Sequence, residues 1–137
     1  MHCTCTANAL HMHKGLKNMK KRTETSGVVR PIGEWLQLQE NAGNILWWDR
    51  LNSGAVTFQR NGIWRKVRLC REGTPDMFCV LPSGTVIWIE CKADGKDILK
   101  DSPQARFKAM LLDVQGHFHI TARSLEEFIN LFSKIYG

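Results

Sequence analysis

The 137-residue sequence has no run of about 18 apolar residues, so nothing in it reads as a membrane-spanning helix. The first thirty residues are basic but carry no continuous apolar stretch, which argues against a secretory signal. The five cysteines, Cys3, Cys5, Cys70, Cys79 and Cys91, are odd in number and lack disulfide-like spacing. They read as buried or free thiols in a reducing compartment, and a cytoplasmic setting is expected. The sequence also has no P-loop, no dinucleotide fingerprint, no Ser/His/Asp set, no internal repeat and no low-complexity region.

Acids are scarce at the N-terminus. Residues 1–30 hold Lys14, Lys17, Lys20, Lys21, Arg22 and Arg30 against Glu24, so the segment carries +5 of the formal net charge of +6. The rest of the chain is nearly balanced, and the high pI by itself therefore says little about nucleic acid. Residues 1–29 show no clean periodicity and read as a basic, disordered tail. Its His2, Cys3, Cys5, His11 and His13 lack the spacing of a known zinc finger. Residues 30–137 read as one domain, long enough for one core.

Within that domain, Pro31 opens a helix expected to end at Gly43. "NILWWDRLNSGAVTF" reads as one strand interrupted at Asn52–Gly54, and Asn61-Gly62 as a two-residue hairpin turn into "IWRKVRLC". A second hairpin, "PDMFCVLPSGTVIWIECK", turns near Pro82-Ser83-Gly84. Ser102 caps a helix with Pro103 at its first position, and its apolar face runs through Phe107, Met110, Leu111 and Val114 to Gly116. "HFHIT" reads as a strand, and Ser124 with Glu127 as the capping box of a last helix. The order is α-β-β-β-β-α-β-α, which predicts a mixed α/β (α+β-like) domain with a central sheet flanked by helices.

Charged residues stand out in the second hairpin. Glu90 and Lys92 are two apart and share a strand face, while Cys91 points the other way. If the turn centres on Ser83, with Leu81 opposite Thr85, Asp76 falls opposite Glu90; a one-residue slip would undo this. Two close carboxylates repel unless a cation lies between them. A hard divalent ion accepts such oxygens, with the Cys91 carbonyl as a further donor, and activates water for attack on phosphate beside the Lys92 ammonium. The plainer reading is a solvated Glu90–Lys92 ion pair with Asp76 as a turn residue.

The sequence resembles the VRR-NUC group of the PD-(D/E)XK nuclease superfamily over roughly residues 34–132. The resemblance is carried by "RLNSG" (50–54), "GTPD" (73–76), "ECK" (90–92) and "SPQARF" (102–107), in that order. It implies a restriction-endonuclease-like fold and a metal-dependent endodeoxyribonuclease using Mg²⁺, with Mn²⁺ substituting. Asp76 and Glu90 would bind metal, Lys92 would serve catalysis, and Gln104 would support the site. A further acid on the first helix is implied, with Glu34 as the first candidate and Glu24 and Glu40 behind it. Stand-alone members of this bacterial or phage type look like homodimers acting on branched DNA such as Holliday junctions. A nicking, flap or restriction-like nuclease, or a non-catalytic DNA-binding module, remains an alternative. No membrane or small-molecule substrate is expected.

A basic stretch near this site suits a polyanion. Arg60, Arg65, Lys66, Arg68 and Arg71 follow one another without an acid between them, and Lys66 and Arg68 should share a strand face. Arg50 and Asn52 are added as DNA contacts, and Lys96, Lys100, Arg106 and Lys108 could extend the surface. The alternative is an edge strand protected by charge. Among the tryptophans, Trp88 and Trp35 read as core, while at least one of Trp47, Trp48 and Trp64 is expected to be exposed.

Overall fold

In the computed structural model, residues 25–52 and 54–136 are described; the expectations for residues 1–24, including Glu24 and the His/Cys cluster, lie outside them. The elements are a π-helical turn Thr25–Val29, α1 Arg30–Asn41, β1 Trp47–Arg50, β2 Ala55–Arg60, β3 Ile63–Arg68, β4 Met77–Val80, β5 Val86–Cys91, α2 Pro103–Leu111, β6 His117–Ala122 and α3 Leu125–Tyr136. This is an α+β domain with a mixed sheet. Its four strands lie in the order β1-β4-β5-β6, antiparallel except for the parallel β5–β6 pair. Among the described residues no helix is long and apolar enough to cross a membrane.

Two expectations about boundaries change. The stretch read as one interrupted strand is two strands in different sheets, because the chain leaves the main sheet after Arg50 and pairs β2 only with β3. The fold also begins before residue 30. Val28 and Val29 are buried in the core, so the boundary expected at residue 29 falls inside packed structure.

The local signals act as their chemistry requires. Pro occupies the first turn of α1, and Gly43 beyond its end adopts φ 78°. Ser102 Oγ accepts from the Ala105 N–H at 3.2 Å, and Ser124 Oγ from the Glu127 N–H at 3.1 Å, which caps α2 and α3. Asn61 at φ 52° and Gly62 at φ 76° form the tight β2–β3 turn. The α2 helix stops at Leu111, earlier than its apolar pattern suggested, and Gly116 lies beyond it in the connection to β6.

The sheet has two differently covered faces. Met77, Cys79, Ile87, Ile89 and Cys91 join Ile32 and Leu36 of α1 and Phe128 and Phe132 of α3 in one core. Trp35 of α1 meets Phe128 and Phe132 edge-on at 5.5 and 5.1 Å. The other face carries Phe78 and Trp88, with ring centroids 5.7 Å apart, and Phe107 of α2 seals it 5.2 Å from Trp88. Asp76, Glu90 and Lys92 lie on this face, at the end of the hairpin away from its turn.

Candidate active site

The hairpin register decides whether Asp76 and Glu90 can meet. Leu81 N–H bonds to the Thr85 carbonyl at 2.8 Å, and Met77, Phe78, Cys79 and Val80 pair with Ile89, Trp88, Ile87 and Val86. Continuing that ladder by one residue sets Asp76 opposite Glu90. The condition stated from the sequence, a turn centred on Ser83, is met.

Asp76 does more than end the ladder. Its Oδ2 accepts the Cys91 N–H at 2.7 Å, so the side chain crosses to β5. In an antiparallel pair one residue's N–H and C=O leave by the same strand edge, which directs the Cys91 carbonyl toward Asp76 as well. The Cys91 side chain turns into the core, as the alternation requires. Glu90 is 5% exposed and is the buried charged residue of the fold among the described residues. Lys92 Nζ stands 3.5 Å from Glu90 Oε1. Burying a carboxylate costs several kcal/mol unless opposite charge and hydrogen bonds compensate, so this pair is held in place by its surroundings. A solvated surface ion pair does not describe it.

The loop before Asp76 is held by close packing. Thr74 N–H and Oγ1 both bond to the Arg71 carbonyl, at 3.1 and 2.6 Å, closing a turn around Gly73. Gly73 adopts φ 91°, and a Cβ there would lie 2.6 Å from the Pro103 carbonyl oxygen. Only glycine therefore lets the "GTPD" loop press against the first turn of α2. This contact brings the start of α2 beside the loop that carries Asp76. Gln104 lies half-buried on that first turn, three residues before Phe107 and thus on the face turned to the sheet.

Glu34 falls elsewhere. It is exposed and pairs with Arg30 at 3.2 Å. It sits on α1, which packs on the sheet face opposite Asp76, Glu90 and Lys92. With Arg50, Trp48 and Met77 it lines a separate groove of about 400 Å³. The structure does not bring Glu34 to the site, and Glu40 is six residues further along the same helix. An acid that sequence reasoning passed over does share the site's face: Asp49 on β1 pairs with Phe78, one diagonal step from Asp76. Its strand alternation was the available signal.

Among the described residues, no three His, Cys, Asp or Glu side chains group as a metal site. The donors present, two carboxylates and a backbone carbonyl, suit a hard cation that keeps several waters; they do not suit zinc.

The proposed DNA contacts distribute unevenly. The β2–β3 ribbon is exposed along its whole length. Pairing of Thr57 with Lys66 and Ala55 with Arg68 sets Lys66 and Arg68 on one face, with Gln59 and Trp64. Arg60 and Arg65 lie on the other face among Val56, Phe58, Ile63 and Val67, so the five basic residues form no single stripe. The ribbon leaves the main sheet beside Asp76, whose carbonyl accepts the Leu51 N–H at 2.7 Å. Arg50 and Asn52 flank its start. Asn52 Oδ1 is engaged by the Gly54 N–H at 3.0 Å, and Ser53 lies outside the described residues. Arg71 follows the ribbon and lines a cleft of about 360 Å³ with Arg106 beside α2. Trp47 and Trp64 are exposed, as expected of at least one of the three.

Comparison of the chain with protein-family models, curated proteins and solved structures gives no match.

Proposed function

We propose that this chain is a metal-dependent endodeoxyribonuclease of restriction-endonuclease-like fold, with its active site at Asp76, Glu90 and Lys92. The observation that carries the reading is the meeting of the Asp76 carboxylate, the Cys91 peptide and the buried Glu90–Lys92 pair at one end of a rigid hairpin. A binding surface for phosphate gains nothing from two carboxylates there, since both would repel the ligand. They become useful once a divalent cation lies between them and the phosphodiester.

Asp76 and Glu90, with the Cys91 carbonyl, would hold Mg²⁺, and Mn²⁺ would substitute. The bound ion would polarise a phosphate oxygen and make a ligated water more acidic. Lys92, kept close by Glu90, would hold the attacking water in line and offset charge growing on the phosphate oxygens. Gln104 would fix the orientation of the water or of the neighbouring DNA strand through its amide. Glu34 has no part in this scheme.

The preferred substrate is branched DNA, four-way junctions included, cut by a homodimer with one site per strand. Its support is the resemblance together with the ribbon, whose apolar face offers a second copy a surface and whose Lys66–Arg68 face offers one to phosphate. Cleavage of junction, flap and linear duplex with Mg²⁺ tests the proposal. Glu90→Gln and Lys92→Ala should each slow cutting by about 10²–10³-fold, the loss typical of removing one charge-stabilising group. Their DNA binding in EDTA should stay within a few-fold of native. Native protein that binds DNA and cuts none of the three substrates with Mg²⁺ or Mn²⁺ would leave a non-catalytic DNA-binding module. Equal cutting of junction and duplex would leave a nicking, flap or restriction-like nuclease.

A further inference from the structure

The edge strand β6 carries a second group of polar atoms that the proposed chemistry does not use. Among the described residues, Nδ1 of His119 and Oγ1 of Thr121 are the buried side-chain polar atoms without a hydrogen-bond partner. Such atoms are costly to leave unpaired, and two of them two residues apart on one strand face call for a common partner. His119 and Thr121 pair in parallel register with Trp88 and Glu90, which puts them on the same sheet face as the active site.

The main chain adds donors. Val86 N–H bonds to the Gly116 carbonyl and Lys92 N–H to the Ala122 carbonyl, both near 2.8–2.9 Å. Even-numbered residues of β6 thus turn their peptide groups toward β5, and those of His119 and Thr121 face the open edge. Along this edge runs a cleft of about 480 Å³ whose polar lining is Asp97, Lys108, His119, Thr121, Arg123 and Lys134, the rest being aliphatic. Arg123 holds Asp97 at 3.0 Å and Glu127 at 3.0 Å, so the one acid facing the cleft is already paired. Lys108 and Lys134 have no ion-pair partner among the described residues and bring two ammonium groups to it from α2 and α3.

We propose that this cleft is a phosphate-binding subsite, in which Thr121 Oγ1, His119 Nδ1 and the outward peptide N–H groups grip an oxyanion flanked by Lys108 and Lys134. The choice of a DNA backbone phosphate as occupant rests on the nuclease reading. Thr121 is the register partner of Glu90, so β6 lies about one strand spacing, 4.7–4.9 Å, from the strand that carries Glu90, and the cleft lies along its outer edge. A strand running across β5 and β6 would place one phosphate at Asp76 and Glu90 and a neighbouring one here. Addition of a further β-strand to the same edge is opposed by the two lysines, which are the usual guard against such pairing.

The test uses the full chain in EDTA, where no cutting occurs. Inorganic phosphate, titrated against sodium chloride at matched ionic strength, should move the His119 and Thr121 amide resonances saturably. Thr121→Val should weaken this binding about 5-fold, and Thr121→Ser should restore it. For duplex DNA, Lys108→Ala with Lys134→Ala should weaken binding and lower the log K against log salt slope by about 0.9, one phosphate contact's worth. The midpoint of thermal unfolding confirms that each variant is folded. No saturable shift with phosphate overturns the subsite. Shifts with phosphate but an unchanged DNA salt slope overturn DNA as its occupant and leave a free-phosphate site. Shifts that follow protein concentration in place of phosphate mean that a second chain occupies the edge, which also overturns it. Cutting of DNA by Glu90 and Lys92 is measured separately, so either reading can fail alone.

Discussion

Gly73 and His119 tie single residues to measurable consequences. Gly73 needs both a positive φ and the absence of a Cβ, because its neighbour is backbone at Pro103 and cannot swing aside. Gly73→Ala should destabilise the fold by about 2–4 kcal/mol, as a strained φ and a backbone clash add, readable as a lower urea midpoint. It should also loosen the fit between the Asp76 loop and α2, so activity should fall even where the variant remains folded. His119 is held down to about 4 from 6.5, first by burial and then by the Lys108 ammonium on α2; His117 lies two residues before it on β6, Phe107 lies 6.4 Å from its ring, and Asp97, Arg123 and Lys134 line the same cleft. Below pH 6.5 the unfolded chain takes up a proton that the folded imidazole refuses. Stability from this group is therefore full above pH 6.5 and is lost as pH falls from 6.5 toward 4. Thermal unfolding of native protein and His119→Asn across that range should show a shallower acid decline in the variant. The sequence marked Gly73 through its motif. It gave no sign of the environment of His119, because that depends on α2 lying over β6.

At the scale of elements, the β2–β3 ribbon combines two surfaces that a one-dimensional reading merges. Five basic residues in twelve positions look like one stripe, yet cross-strand pairing separates Lys66 and Arg68 from Arg60 and Arg65. Two-stranded ribbons have little stability of their own, and this one leaves Val56, Phe58, Ile63 and Val67 exposed on one side. If that side is covered by a second copy, Lys66 and Arg68 remain for DNA. Lys66→Ala with Arg68→Ala should then weaken duplex binding about 10-fold near 0.1 M salt and flatten its salt dependence. The hairpin turn itself was legible, since Asn61-Gly62 names its own geometry. The break at residues 51–54 was not, because only the choice of pairing partner shows that β1 and β2 belong to different sheets.

For the whole molecule, the dimer proposed for paired cutting is open to a direct measurement. Native protein should elute and sediment at twice the chain mass at micromolar concentration. Val67→Asp, which places a charge on the ribbon's apolar face, should shift it to monomer while leaving the unfolding midpoint of the domain nearly unchanged. A native monomer at these concentrations would remove paired incision on a junction from the proposal. The same measurement leaves the proposed metal site untouched, since every residue assigned to it comes from one chain.

The sequence alone determined the local features: helix caps at Ser102 and Ser124, the two hairpin turns, and the alternation that sends Cys91 to one sheet face and Glu90 and Lys92 to the other; the register about Ser83 it gave as a condition, which the strand pairing meets. Each depends on neighbours in the chain, and short-range stereochemistry suffices to read it. The tertiary structure decided which helix covers which face. It buried Val28 and Val29, placed α1 and Glu34 behind the sheet, laid α2 over Trp88 and set Asp49 on the same face as Asp76. It also left β6 as an open edge with His119 and Thr121 unpartnered. These outcomes depend on long-range packing of apolar surfaces, where the free energy belongs to the assembled core and no local pattern carries it.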